Sequence, residues 1–296
     1  MNDPRILKLF YDNKSDPAYA GRFGQIPGAT LSGGSWVIPL ANLQDPELGL
    51  IARTASADAD DARFTIAFTS LAKLSAFFLC NTNLSVNARI RLVGYYDAAR
   101  TELSFDLTFD AYPGIGFTEE LEWEDENSWD GKPLSKDLEG LTQNAWTVFP
   151  DDVRASVLDV QILDESNPDG FIDLGRLLCM SGWQPARNPL LGSSLGIETD
   201  TTAEKSMSGA ESFDRREPFR VYQLNYGYLP EQETLDRGLE MARRIGIDGE
   251  VFVVNDSRSV NLHRLSFLAR LRQPPAWERS APRMANIAFQ LKERLP

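Results

Sequence analysis

Residues 157–174 read VLDVQILDESNPDGFIDL, and this stretch decides the fold. Its first seven residues alternate polar with apolar side chains, the period of a strand with one buried face. Ser166, Asn167, Pro168, Asp169 and Gly170 then make a turn: proline presets φ, aspartate bonds its own backbone, and glycine takes positive φ. Residues 171–174 (FIDL) follow the turn, so the whole reads strand, turn, strand. Towards the amino terminus, alternation recurs at 63–68 (RFTIAF), 89–95 (RIRLVGY) and 103–109 (LSFDLTF), with a short apolar run at 76–79. Many short strands with turn-rich connections predict a β-sandwich or jelly roll. No internal repeat with a period of roughly 20–50 residues interrupts the pattern.

The chain has 296 residues and a mass of 33.1 kDa, which leaves room for two domains. It is 42% hydrophobic, with 16 Phe, 8 Tyr and 6 Trp to fill cores. Against these stand 43 acidic and 30 basic residues, a net charge of −13. That balance opposes sequence-independent nucleic-acid binding, which needs a basic surface to displace phosphate counterions. One histidine, His263, makes no multi-histidine metal site. Two cysteines, Cys80 and Cys179, build neither a zinc knuckle nor a disulfide framework. Both follow apolar runs and read as small buried hydrophobes. Residues 1–14 lack an apolar signal core, and no stretch approaches the roughly 20 apolar residues of a membrane span, so synthesis in a cytoplasm and no membrane partner are expected.

Residues 112–146 form a less regular insertion in the strand-rich region. It carries Glu119, Glu120, Glu122, Glu124, Asp125, Glu126 and Asp130, with Trp123, Trp129 and Trp146 interleaved. Such a run is ordinarily a solvated loop of mutually repelling charges. A cation site and a docking surface for a basic partner are the functional alternatives. Short catalytic signatures are absent: there is no GxGxxG, Gly-rich Lys-Ser/Thr loop, HExxH or GxSxG. His263, just before an expected strand, reads as a polar loop or strand-end residue. Carboxylate pairs such as Asp151–Asp152 and Glu119–Glu120 carry no signal in so acidic a chain. Asp164, Asn167 and Asp169 do not match an EF-hand spacing and read as turn residues. No catalytic, cofactor-binding or metal-ligating residue is assigned, and no enzyme activity is expected.

The last third changes character. Residues 191–212 are rich in Gly, Ser and Thr and suggest an extended arm or linker. Residues 219–226 (FRVYQLNY) alternate as a strand. Pro230 opens a helix with acidic residues in its first turn, an apolar stripe at Leu235, Leu239, Ala242 and Ile245, and Gly246 at its stop. Strands are expected at 250–254, 265–271 and 287–291, making a small α+β unit.

Three stretches together resemble a known family. Asn81-Thr82-Asn83-Leu84-Ser85 followed by Asn87-Ala88-Arg89-Ile90-Arg91 resembles the "N-L-S-x-x-A-x-(I/V)-R" strand pair of phage proteins with a discoidin-like, galactose-binding-type β-sandwich. Asp173-Leu174-Gly175-Arg176-Leu177, then Gly182-Trp183-Gln184-Pro185-Ala186-Arg187-Asn188, resembles that family's "I-G-R-L … W-Q-P-x-x-N" exit from the sandwich. Residues 219–226, the helix after Pro230, 251–256 and 265–272 resemble its closing block. There Leu262-His263-Arg264 replaces a Gln-rich stretch, and Ala269 stands where Gly is common.

The resemblance implies a siphophage tail-tip or baseplate part similar to distal tail proteins. Such a part forms a homo-oligomeric, hexameric ring between tail tube and tip complex, beside tape-measure and hub proteins, and is located in the virion. The expected fold is mainly β with a small α+β part. It comprises an amino-terminal strand within 1–16, a sandwich over 17–184, and a belt-like strand–helix–strand assembly domain over 185–296 that the amino-terminal strand completes. Assembly contacts are expected at Phe219, Val221, Gln223, Tyr226, Leu235 and Leu239, on an open strand and helix face. The alternative is a carbohydrate-binding adhesion module at the tail tip, meeting host-surface glycan through Trp123, Trp129 or Trp146 stacked on sugar rings.

Overall fold

A computed structural model describes residues 7–21, 24–112, 131–134, 138, 140–207, 209, 211–255 and 262–296, with backbone alone at 19–21 and 24–26. The chain divides into two compact units. The first comprises residues 8–184 with 252–267, the second residues 185–251 with 268–295.

Along the chain the first unit contains β1 (Leu7–Asn13), β2 (Tyr19–Gly21), β3 (Gly24–Ile26), β4 (Ala29–Ser32), β5 (Trp36–Ile38), a 3₁₀ turn (Leu40–Gln44) and β6 (Ala52–Thr54). There follow β7 (Arg63–Thr82), β8 (Arg89–Tyr95), β9 (Leu103–Asp110), β10 (Asn144–Leu163) and β11 (Asp173–Trp183). The expected strand at 63–68 and the apolar run at 76–79 are the two ends of β7. It pairs antiparallel with β10, with register shifts between Val148 and Val153 and between Ala155 and Val157. Such irregularities bend strands, so one strand can serve two layers. The first half of β7 pairs with β4 and the second half of β10 with β8, while the second half of β7 pairs with β11. Phe64, Ile66, Ile90, Leu92, Leu158 and Val160 from one layer and Phe77, Leu79, Leu177 and Cys179 from the other share one core. This is a β-sandwich. Cys80 and Cys179 are buried and are not joined in a disulfide, and burial pushes the Cys179 thiol up.

β7 is buried on both faces from Ala76 to Cys80. Its inner face is in the core; on its outer face Phe78 stacks on Phe252, with ring centroids 4.1 Å apart, and meets Phe10 edge-on at 5.2 Å. Phe252 lies on β16 (Val251–Asn255), which sits next to β1. β1 in turn pairs with β11, Leu9 opposite Trp183 and Phe10 opposite Gly182. A β-carbon on Gly182 would lie 2.6 Å from the Phe10 ring, so glycine is what lets that ring lie flat on β11. Residues 8–13 and 252–267 thus belong to the sandwich unit, where the sequence places them in the carboxy-terminal domain. The turn between β10 and β11 is tied to the β7–β8 connection. Ser85 donates to Asp164 through both N–H (2.9 Å) and Oγ (2.5 Å), and Asn167 Nδ2 donates to Asp164 and to the Asn83 carbonyl.

The second unit is built on β12 (Ser194–Glu198), β13 (Thr202–Lys205), β14 (Glu211–Asp214), β15 (Phe219–Pro230), β17 (Phe267–Gln273), β18 (Trp277–Ala281) and β19 (Met284–Glu293). β15 and β17 both pair with β19, and β18 folds back on it. Leu224, Tyr226, Leu271, Ile287, Phe289 and Leu291 are among its buried side chains. Arg220 forks onto Glu293 in a buried ion pair, and the Arg220 N–H also donates to that carboxylate. The segment expected as an arm contains three strands. β12 pairs with β15, while β13 and β14 form a hairpin whose eight strand residues are all exposed. The helix after Pro230 is interrupted. One turn (Glu231–Glu233) leads into a π-helical stretch (Thr234–Leu239) and then an α-helical one (Glu240–Ile245). The wider turn shifts the phase of the apolar stripe. Thr234, Gly238, Met241 and Ala242 face inward, and Leu239 is exposed.

Candidate ligand-binding cleft on the sandwich

In the sandwich unit, β7, β10 and β8 lie side by side, and their alternation sends Phe64, Leu158, Val160 and Leu92 into the core. The opposite phase meets on the outer face. Gln161 stands opposite Arg63 on β7 and Arg91 on β8; one pair along, Asp159 stands between Thr65 and Val93. These rows, with Gly33 and Gly34 after β4 and Arg100 from the β8–β9 connection, line a cleft of about 480 Å³. Gly34 has φ of 70°, and a β-carbon there would lie 2.1 Å from the Arg63 carbonyl oxygen. Only glycine lets this loop lie against the start of β7.

Most polar groups of the cleft are locked in place. Asp159 accepts from Thr65 Oγ1 (2.6 Å) and Arg100 Nη2 (2.8 Å), and the same Nη2 donates to Thr65 Oγ1 at 2.9 Å. Arg91 forks onto Asp106 through Nε (3.0 Å) and Nη2 (2.7 Å). That hydrogen-bonded pair raises the Arg91 pKa and lowers that of Asp106. Arg63 approaches Asp60 at 3.3 Å, with the two side chains 59% and 86% exposed, a pairing worth little in water. Among the described residues, the Gln161 carboxamide has no hydrogen-bond partner. The cleft therefore presents two guanidinium groups held in place, Arg91 and Arg100, and the untethered Arg63 and Gln161, beside one carboxylate and a hydroxyl.

The residues singled out from sequence lie elsewhere. Trp123 and Trp129 fall outside the described residues. Trp146 is buried, 6% exposed, with Phe252 at 5.7 Å and His263 at 5.0 Å between ring centroids, so it offers no face to a sugar. Phe219 and Tyr226 are buried, Val221 and Leu235 half-buried, and Gln223 and Leu239 exposed. Along 221–223, β15 has β12 on one side and β19 on the other, so this stretch is not the open strand the sequence suggests. His263 departs from its reading as a polar loop residue. It sits on a single helical turn (Leu262–Leu265), packs against Tyr112 and Trp146, and lines a cavity of about 10 Å³. Burial lowers its pKa to about 4. Asp152, one of the paired carboxylates, is engaged by Lys73 (2.5 Å) and Ser75 (2.6 Å). No cluster of three or more metal-ligating side chains occurs among the described residues.

No family model and no curated protein matches the chain. Among solved structures it is similar to the family 32 carbohydrate-binding module of Clostridium perfringens NanJ in complex with galactose. That match has 12% identity over 52% of this chain and 93% of the module, with a TM-score of 0.33. A module of a family 31 glycoside hydrolase from the same organism gives 11% identity over 52% and 94%, with a TM-score of 0.33. A fucolectin from striped bass (Morone saxatilis) serum gives 8% identity over 91% and 96%, with a TM-score of 0.32.

Proposed function

We propose that the protein is a non-catalytic carbohydrate-binding protein whose sandwich unit holds a saccharide in the outer-face cleft. The observation that carries this reading is the cleft itself, about 480 Å³, in which polar groups from three neighbouring strands converge. Sugar hydroxyls both donate and accept, and the cleft answers with guanidinium donors on either side of Asp159, Thr65 and Gln161. The cleft, not the likeness to sugar-binding modules, supports the assignment. The test is a glycan array with the full chain, followed by calorimetry on the best binder. Binding that Gln161→Ala or Arg91→Ala weakens by tenfold or more is the expected result; binding unchanged by both, or none to any glycan, overturns it.

A second reading, an assembled part of a phage tail tip, is favoured by one observation, the fully exposed β13–β14 hairpin beside the exposed strand β12. Ile197 on β12 and Phe213 on β14 are 76% and 56% exposed. Apolar groups on short exposed strands suit contact with a neighbouring subunit. Mass photometry and negative-stain imaging of the purified chain test it: closed rings support this reading, and monomers at micromolar concentration oppose it.

A further inference from the structure

We infer that the saccharide taken up in this cleft is an acidic one, anchored by a sugar carboxylate at the Arg63–Gln161–Arg91 row; this rests on the carbohydrate-binding reading above. The cleft side chains leave much of their hydrogen-bonding capacity unused. Arg91 uses Nε and one N–H of Nη2 on Asp106, which leaves Nη1 and the second Nη2 proton. Arg100 uses only Nη2, on Thr65 and Asp159. Arg63 has only the long, exposed approach of its Nη1 to Asp60, so at least four of its five donors stay available. Gln161 adds two more donors between Arg63 and Arg91.

On the accepting side, the cleft offers the second oxygen of Asp159, the Gln161 carbonyl and a lone pair of Thr65. Donors outnumber acceptors about twofold, and the lining carries three arginines against one aspartate. Asp106 and Asp60 balance part of that charge from outside the lining. A neutral sugar, with matched donors and acceptors, would leave most of these N–H groups to water. A carboxylate supplies up to four lone-pair directions in one plane, the complement of a guanidinium fork.

Isothermal titration of the full chain with trigalacturonate and with its methyl ester separates the possibilities. The ester keeps the sugar rings and every hydroxyl and replaces each charged carboxylate with a neutral methyl ester. We expect the acid to bind at least tenfold more tightly than the ester, the scale of one charge-assisted hydrogen bond. Arg63→Gln should abolish most of that preference, while Arg63→Lys keeps part of it. Circular dichroism on each variant establishes that it is folded; Arg63 is 59% exposed, so its replacement should leave the fold intact. Equal binding of acid and ester overturns the acidic anchor and leaves carbohydrate binding standing. Binding of a sulfated disaccharide in preference to the uronate overturns the carboxylate. Binding of no saccharide in the array or here overturns both readings together.

Discussion

Arg176 is fully buried on β11, where Asp16 meets it at 2.7 and 2.8 Å and the Leu43 carbonyl accepts at 3.2 Å. A buried guanidinium is tolerable only while its partners stay. Asp16→Ala should therefore destabilise the protein by about 3 kcal/mol or more, read as a lower denaturation midpoint at unchanged slope. Arg176→Met should cost less, because Asp16 retains some contact with water and Met leaves no orphaned charge. Equal losses would show that packing, not charge, sets the effect. His263 makes the second residue-scale prediction. Its folded pKa of about 4 lies below its ordinary value of 6.5, so the unfolded chain binds the proton first. The stability it contributes is complete above pH 6.5 and is lost as pH falls towards 4. Carboxylates such as Asp97 and Asp106, whose pKa values hydrogen bonds lower, add their own acid loss. The readout is thus a difference: His263→Phe should flatten the decline between pH 6.5 and 4 relative to wild type. An unchanged slope would refute it.

At the scale of elements, the Arg220–Glu293 pair ties β15 to β19. Glu293→Ala should cost about 3–5 kcal/mol by stranding a buried cation, with hydrogen exchange quickening first in these two strands. A loss under about 1 kcal/mol would mean water reaches the site. The alternating strands at 63–68, 89–95 and 157–163 are legible in sequence because each has one face on the core, which imposes a period of two. The helix is legible only in part. Its existence shows, but the π turn shifts its phase, so Leu239 points to solvent and Thr234 and Gly238 inward. β12, β13 and β14 leave no pattern, since a strand exposed at every residue has no buried side to mark. The cleft was written in the polar phase of three strands, at Arg63, Thr65, Arg91, Asp159 and Gln161. Their convergence depends on registers such as Arg63 with Gln161 and Arg91 with Gln161, between residues far apart in the chain, which local periodicity does not carry.

For the whole molecule, the division into units has a practical outcome. The sandwich unit includes residues 252–267, which return after the second unit's helix. Truncation at 184 would strip Phe252 from Phe78 and His263 from Trp146. The fragment should unfold at lower denaturant than the sandwich within the full chain and bind a hydrophobic dye; equal stability would show that β16 is dispensable. The exposed β13–β14 hairpin has a consequence of another kind. Without cover on either face, a two-stranded ribbon opens readily, and an opened backbone is what a protease active site needs. Trypsin should cut first after Lys205, Arg215 or Arg216. The nicked protein should still migrate as one species, because β12 on the upstream fragment stays hydrogen-bonded to β15 on the downstream one, and should fall into two pieces only in denaturant.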